Sequence, residues 1–190
     1  MELFRNGKSL GRKYFTKQTT EDGYTYQTYK GSLYLTWKIW YRSGEITAKA
    51  YDEDGNEIMD TVGRSSVVTS GEPAKIVLTS EETVLTADGK DLAFVTTEIQ
   101  DADGNPVYNA AEQLSFTLNG NGIIAGVDNG DPKDLSSYKG SDETHAERST
   151  FSGKALIILQ SGTESGTMTL TAEGEGLESD SIKIQTVSAE

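Results

Sequence analysis

The sequence contains no cysteine, and that absence excludes several kinds of chemistry at once. The chain forms no disulfide, binds no metal through thiolates and has no cysteine nucleophile. Histidine is nearly absent too: His145 is the only one, and it lies in a polar stretch beside Asp142, Glu143 and Glu147. We interpret His145 as an exposed loop residue rather than the base of a serine–histidine pair.

Positive charge is also scarce, with 17 lysines and arginines against 30 aspartates and glutamates and a formal net charge of −13. This charge balance disfavours a nucleic-acid partner, because nucleic acids are bound through clustered basic side chains. An anionic membrane surface would repel the chain, and no apolar run approaches the roughly 18 residues of a membrane span. We therefore predict no nucleic-acid partner and no membrane partner, and interpret the acidity as a solvated exterior.

Long segments with helical periodicity are missing, and short alternating segments take their place. Apolar residues recur at every second position from Leu33 to Tyr41, which predicts a strand with Trp37 on its apolar face. The arrangement is typical of antiparallel β-sandwiches and predicts an all-β fold. Further strands, separated by Gly, Asp and Asn turns, are predicted over residues 45–51, 58–62, 74–79, 83–87, 92–100, 114–118, 122–127, 154–160, 167–172 and 181–186.

The alternation lapses between Ser65 and Pro73, and we place a linker there. Two immunoglobulin-like β-sandwich units are predicted, over residues 1–68 and residues 69–190. The second unit has about the size of one immunoglobulin domain, which is roughly 100 residues. The first unit has few strands for a closed sandwich, so we expect it to be truncated at its N-terminus.

The pair Asn6-Gly7 predicts a β-hairpin at the start of the chain, because both central residues of a type I′ turn adopt positive φ. We expect the strand that precedes this hairpin in a complete sheet to be missing. The edge beside Glu2–Arg5 is then predicted to be unpaired, or to associate with the same edge of another copy, since open edges template strand addition.

One acidic segment has the spacing of a calcium-binding loop. Asp101, Asp103, Asn105 and Glu112 occupy positions one, three, five and twelve of that loop, but Pro106 stands where the loop needs glycine. The flanking segments are predicted strands rather than helices. We therefore favour a strand-connecting turn and predict no metal site.

A second acidic segment, Asp128, Asn129 and Asp131, follows a predicted strand and opens a long polar loop over residues 131–148. Loops of this length inside compact domains are usually functional or disordered. The three side chains either contact sugar hydroxyls or a cation, or form an Asx-type turn that anchors the loop. The turn is the favoured interpretation.

Aromatic residues concentrate between Tyr14 and Tyr51, and Trp40 points away from the apolar face of its predicted strand. Its indole is either a platform for a sugar ring or a contact for a neighbouring domain, and the domain contact is favoured. No catalytic, cofactor-binding or metal-binding residue is predicted. The candidate carbohydrate or domain contacts are Trp40, Asp128, Asn129 and Asp131.

The chain resembles one family over nearly its whole length. ELFRNGKSLG, residues 2–11, is similar to the segment veLFvNGkslG of the accessory domain that follows the catalytic barrel in bacterial β-galactosidases of glycoside hydrolase family 2. LTWK and GEITAKAYD, at residues 35–38 and 44–52, resemble the strand pattern of the same domain. In these enzymes an invasin-like bacterial immunoglobulin domain follows the accessory domain. Four segments of this chain resemble it, at residues 71–76, 88–92, 126–131 and 151–156.

This resemblance implies a parent enzyme that is a retaining glycosidase with two catalytic glutamates on a (β/α)₈ barrel, neither of which maps to this chain. The chain is then expected to be a non-catalytic accessory region without a cofactor. Its expected partners are the catalytic barrel, the other domains of the parent and carbohydrate. Two alternatives stay open: a carbohydrate-binding module, and an adhesin-type stalk, because invasin-like domains also occur in surface adhesins.

Overall fold

The computed structural model describes residues 1–58 and 66–188, and the regular structure in these ranges is β-strand throughout, so the all-β prediction is confirmed. Nothing in these two ranges forms a helix with the length and apolar character of a transmembrane span. The chain divides into two compact units, Met1–Thr69 and Ser70–Glu190.

The first unit contains one main sheet and a separate hairpin. The sheet has the order β2-β1-β5-β6, with β7 also pairing with β5, and β3 pairs with β4. Among its described residues no hydrophobic side chain is buried, since the buried hydrophobic positions run from Ile76 to Ile184. Its strands are β1 (Glu2–Arg5), β2 (Lys8–Arg12), β3 (Thr16–Thr19), β4 (Thr25–Thr28), β5 (Glu45–Tyr51), β6 (Glu57–Ile58) and β7 (Ser66–Val68).

The second unit contains two sheets that share a core, with the orders β12-β14-β10-β8 and β13-β11-β15-β16-β9. The described pairings are antiparallel, apart from β9 beside β16. Its strands are β8 (Lys75–Thr79), β9 (Val84–Thr86), β10 (Leu92–Gln100), β11 (Gln113–Asn119), β12 (Gly122–Asp128), β13 (His145–Ser149), β14 (Lys154–Ser161), β15 (Gly166–Gly174) and β16 (Asp180–Val187).

Alternation along the strands builds this core. In β10 and β14 every second residue is buried, because successive side chains of a strand point to opposite faces of the sheet. Val95 and Ile157 from one sheet and Phe116 and Leu170 from the other are at most 1% exposed. The predicted strands at residues 92–100 and 154–160 match β10 and β14 closely for this reason.

The predicted hairpin is confirmed, with φ values of 48° at Asn6 and 74° at Gly7. However, β5 pairs along the other side of β1, so the prediction of an unpaired edge beside Glu2–Arg5, open to another copy, is wrong. Asn6 explains this register: its Oδ1 accepts the Glu45 N–H at 2.7 Å, and its own N–H donates to the Glu45 carbonyl at 2.9 Å. The turn that closes the hairpin therefore also positions the start of β5.

The strand predicted over residues 33–41 is wrong. This segment carries no ladder, and Leu33 and Tyr41 are 74% and 81% exposed. It contacts β2 through a side chain, because Trp37 Nε1 donates to the Gly11 carbonyl at 3.1 Å. An alternating segment forms a strand only where its main chain can pair with a neighbouring strand. Here the Trp37 side chain, rather than the main chain of residues 33–41, bonds to the backbone of β2.

Two further differences from the sequence-based expectations concern strand ends. The strand predicted over residues 58–62 is observed only as β6, which ends at Ile58, and its remainder lies outside the described residues. The polar loop predicted over residues 131–148 ends earlier, because β13 begins at His145 and pairs with β11. This strand was not predicted because one of its two inward-facing residues is the charged Arg148, so its sequence does not alternate between apolar and polar residues.

Candidate contact surfaces

A chain of Asx turns shapes the loop over residues 129–144. Asp128 Oδ1 accepts the Asn129 N–H at 2.7 Å, Asn129 Oδ1 accepts the Asp131 N–H at 2.9 Å, and Asp131 Oδ1 accepts the Lys133 N–H at 2.9 Å. Short side chains that bond to backbone N–H groups one or two positions ahead hold a turn in place without regular structure. The structure thus brings three of the predicted contact residues together, with the Oδ1 atom of each engaged in the loop itself.

A buried arginine fastens this loop to the sandwich. The Arg148 side chain is 1% exposed, and its Nη1 donates to Asp134 Oδ2 at 3.0 Å. Its Nη2 donates to the carbonyls of Val127 and Ser137. Asn129 Nδ2 donates to the same Asp134 oxygen at 2.8 Å. The sequence of β13 did not predict this cluster, because an arginine in a strand is normally expected on the solvent-facing side.

Hydrogen bonds lower the pKa of the carboxyl groups that close this loop. Ser136 is the main cause at Asp134, followed by Arg148, and together they hold the pKa of Asp134 well below its usual range. The Thr144 N–H, followed by the His145 ring, lowers the pKa of Asp142 to about 2. His145 is exposed and is the first residue of β13. Its Nδ1 lies 3.0 Å from Asp142 Oδ1, so the ring helps to close the last turn of the loop.

The segment with calcium-loop spacing is built around a single buried carboxylate. Asp101 is 3% exposed and accepts the N–H groups of Gly71 at 2.7 Å, Asp103 at 3.0 Å and Asn105 at 2.7 Å. The Gly71 bond is the main cause that lowers the pKa of Asp101 to about 2. In the part of the chain that the structure describes, no group of three or more acidic or histidine side chains is placed to hold a metal ion.

Exposed apolar side chains gather in the first unit. Trp40 is 89% exposed, and its carbonyl accepts a hydrogen bond from Arg5 Nη2 at 2.6 Å. Leu33, Tyr34 and Tyr41 nearby in sequence are 74%, 65% and 81% exposed. Several exposed large apolar side chains within nine residues of sequence are a feature of interaction sites. Trp40 thus presents its ring to solvent although the strand from which its orientation was predicted does not form, and it belongs to a different unit from the other three predicted contacts.

Residues 7–11 spell the G-x-S-x-G pattern of α/β-hydrolase nucleophiles, but the fold around them is wrong for that role. Such a serine sits on a sharp turn between a strand and a helix. Here Ser9 lies within the hairpin strand β2, where its hydroxyl donates to Glu2 Oε1 at 2.5 Å and accepts the Gly11 N–H at 3.1 Å. The hydroxyl is therefore part of the hairpin's own hydrogen bonding.

Two family models match the chain. Residues 76–183 match the glycoside hydrolase family 2 C-terminal domain 5, and residues 1–59 match a domain of unknown function, DUF4982. The first match covers more than half of the chain and lies entirely within the second unit.

Similar proteins are glycosidases that are much longer than this chain. Beta-galactosidase BoGH2A of Bacteroides ovatus is 38% identical over 97% of this chain and 19% of its own length. A beta-glucuronidase of Formosa agariphila is 28% identical over 98% of this chain and 17% of its own length. A crystal structure of a glycosyl hydrolase family 2 member from Bacteroides cellulosilyticus matches with a TM-score of 0.73 and 30% identity, over 98% of this chain and 21% of that one.

The chain thus spans about a fifth of the length of the relatives that it matches. The resemblance to family 2 accessory domains is confirmed by the family model and by these relatives together. The chain belongs to the glycoside hydrolase family 2 C-terminal domain 5 family.

Proposed function

We propose that this chain is a non-catalytic accessory region of a larger β-galactosidase-like glycoside hydrolase, and that it braces the catalytic part of that enzyme. The observation that carries this proposal is the exposed aromatic surface of the first unit. Trp40 and Tyr41 are more than four-fifths exposed, while no hydrophobic side chain among the unit's described residues is buried. A surface of this kind fits a neighbouring domain.

The energetics of burial support this proposal. Covering apolar surface contributes roughly 25 cal/mol per Å², and a unit whose described hydrophobic side chains are at best half-buried forgoes much of that stabilisation. Docking Leu33, Trp40 and Tyr41 against another domain would supply it. The relatives, which are about five times longer than this chain, provide further domains within one polypeptide.

The three carboxyl groups of the second unit whose pKa values shift most differ from the general acid of a glycosidase active site. Hydrolysis of a glycoside needs a general acid whose pKa is raised. Hydrogen bonds instead lower the pKa of Asp101, Asp134 and Asp142. These groups stabilise turns, which agrees with a non-catalytic role.

An activity assay tests the proposal directly. The isolated chain is incubated with aryl β-galactosides and aryl β-glucuronides, with the full-length Bacteroides ovatus beta-galactosidase as positive control for the galactosides. We expect no turnover above buffer from the isolated chain. Turnover comparable with that of the complete enzyme would contradict a non-catalytic role.

Carbohydrate binding is the second candidate function, and the exposure of the Trp40 ring is the observation that favours it. In contrast, Asp128, Asn129 and Asp131 each use their Oδ1 atom in a hydrogen bond that holds their own loop. Calorimetric titration with galactosides and plant polysaccharides tests this function. Saturable binding that is lost in Trp40→Ala and kept in Tyr24→Ala would support it, and flat titrations would contradict it.

A further inference from the structure

The two outer faces of the second unit differ in their chemistry. The five-stranded sheet presents polar side chains to solvent, among them Ser115, Glu147, Thr171, Glu173 and Lys183. The four-stranded sheet instead presents Val77, Phe94, Ile123, Leu156 and Ile158. Phe94 is 50% exposed on a strand that lies between two others, and the remaining four side chains are half-buried.

The strand register brings four of these apolar side chains together. Phe94 of β10 lies directly opposite Ile158 of β14, and Leu156 lies two residues before Ile158 on the same face. On the next strand Ile123 pairs with Gln160, which makes Ile123 a diagonal neighbour of Ile158. Directly opposite side chains on one face lie within roughly 5.5 Å at their Cβ atoms, and diagonal neighbours within roughly 8 Å. Phe94, Ile158, Leu156 and Ile123 therefore form one patch across three neighbouring strands, whereas Val77 of β8 lies apart from it, opposite Glu98.

The charges on this face lie toward the ends of its strands. Lys75 begins β8, and Lys154, which begins β14, has its Nζ 3.3 Å from Glu98 Oε2. A depression of about 370 Å³ opens beside Phe94, and Glu81 and Glu82 also line it. A complementary partner surface is thus apolar at its centre, with basic side chains where it meets these two glutamates.

We propose that this apolar face is a second docking surface, covered by another domain of the same full-length glycoside hydrolase polypeptide. The inference rests on the proposed accessory function. The four apolar side chains of this patch offer roughly a few hundred Å² at most, whereas a stable complex between separate molecules buries about 1,200–2,000 Å² in total. A domain joined by a linker binds at an effective concentration in the millimolar range, so a small patch suffices.

Single-cysteine labelling tests this proposal, since the natural chain has no cysteine. Phe94→Cys places one thiol on the apolar face, and Ser115→Cys places one on the polar face as the matched control. Thr96→Cys, a nearly isosteric change on the apolar face, serves as a second probe in case Phe94→Cys folds poorly. Rates of reaction with a maleimide are measured peptide by peptide, in the isolated chain and in the longer polypeptide that contains it.

In the longer polypeptide we expect labelling at positions 94 and 96 to be about tenfold or more slower than in the isolated chain, because only a minor undocked population exposes these thiols. Labelling of the Ser115→Cys variant should be the same in both. Equal rates at all three positions would overturn the docking surface, and if the isolated chain also lacks glycosidase activity, the accessory function would still stand. If labelling at positions 94 and 96 of the isolated chain instead slows as the protein concentration rises, a second copy of the chain covers the face, and the proposal of docking within one polypeptide would be overturned.

Discussion

The two units of this chain differ in how far each stabilises itself. The second has a continuous core from Ile76 to Ile184, whereas the described part of the first has no buried hydrophobic side chain. Charge differs as well. Residues 1–69 contain ten lysines and arginines against nine aspartates and glutamates, and residues 70–190 contain seven against 21. The excess negative charge of the chain thus belongs to the second unit.

Under the proposed function, the first unit relies more on its surroundings than the second. A sandwich with two packed sheets gains most of its stability from its own core. A near-neutral unit with one main sheet and exposed aromatics gains more from a neighbour that covers it. The predictions below test this contrast, and the protein supplies a convenient probe because both of its tryptophans, Trp37 and Trp40, lie in the first unit.

The largest expected effect comes from truncating the core of the second unit. Phe116 is 1% exposed, so Phe116→Ala should lower the free energy of unfolding of that unit by about 3–5 kcal/mol. Phe4→Ala, at a half-buried position of the first unit, should cost only about 1 kcal/mol. Urea unfolding is followed by far-UV circular dichroism for the whole chain and by tryptophan fluorescence for the first unit. Equal losses would show that the first unit has a core of its own.

Removing the buried guanidinium should have the next largest effect. Arg148→Met leaves Asp134 without its ion-pair partner and should destabilise the second unit by about 3 kcal/mol. Lys154→Met, which removes a half-exposed cation from the same unit, should change stability by no more than about 0.5 kcal/mol. Hydrogen exchange should show faster exchange in residues 129–144 of Arg148→Met alone. Unchanged exchange there would mean that the Asx turns hold the loop without Arg148.

A matched pair of turn glycines compares the two units at the level of the backbone. Gly7 and Gly153 have φ values of 74° and 72°, but only at Gly153 would an added Cβ collide with a backbone atom, the Val107 carbonyl oxygen. Gly7→Ala should cost about 1 kcal/mol, the price of a left-handed conformation for a residue with a Cβ. Gly153→Ala should cost more than about 2 kcal/mol, since the collision adds to that strain. Thermal unfolding followed by far-UV circular dichroism and by tryptophan fluorescence measures the stability lost in each variant. Equal losses of stability in Gly7→Ala and Gly153→Ala would contradict the collision with Val107.

Acid should weaken the second unit within a defined range of pH. The pKa of Asp101 falls from its ordinary value of 3.8 to about 2 on folding, so the unfolded state takes up a proton at higher pH than the folded state. The stability that this carboxylate contributes is then complete above about pH 4 and is lost as the pH falls to about 2. Asp101→Asn should be less stable than the natural chain at pH 7 and should show a shallower decline from pH 4 to 2. Urea midpoints measured by circular dichroism across this range test this, and parallel curves would contradict it.

Local patterns predicted most of the second unit, and they failed where a residue's role depends on distant partners. The short apolar runs at 92–100 and 154–160, bounded by turn residues, predicted strands, and in the structure both strands bury every second residue in the core that their sheet shares with the other one. Arg148 shows the opposite case. A charged arginine is expected on the surface. Its burial is possible because its guanidinium donates to the Asp134 carboxylate and to the carbonyls of Val127 and Ser137.

The sequence by itself determined the strands and turns that depend on neighbouring residues: the Asn6-Gly7 hairpin, the Asp101 turn, and the β-rich alternation that places the chain among all-β domains. Only the tertiary structure decided that β1 lies inside its sheet and that residues 33–41 form no ladder. The physical reason is the range of the interactions. Positive φ and alternation are properties of adjacent residues, whereas a strand edge or an exposed Trp40 is defined by the groups that pack beside it.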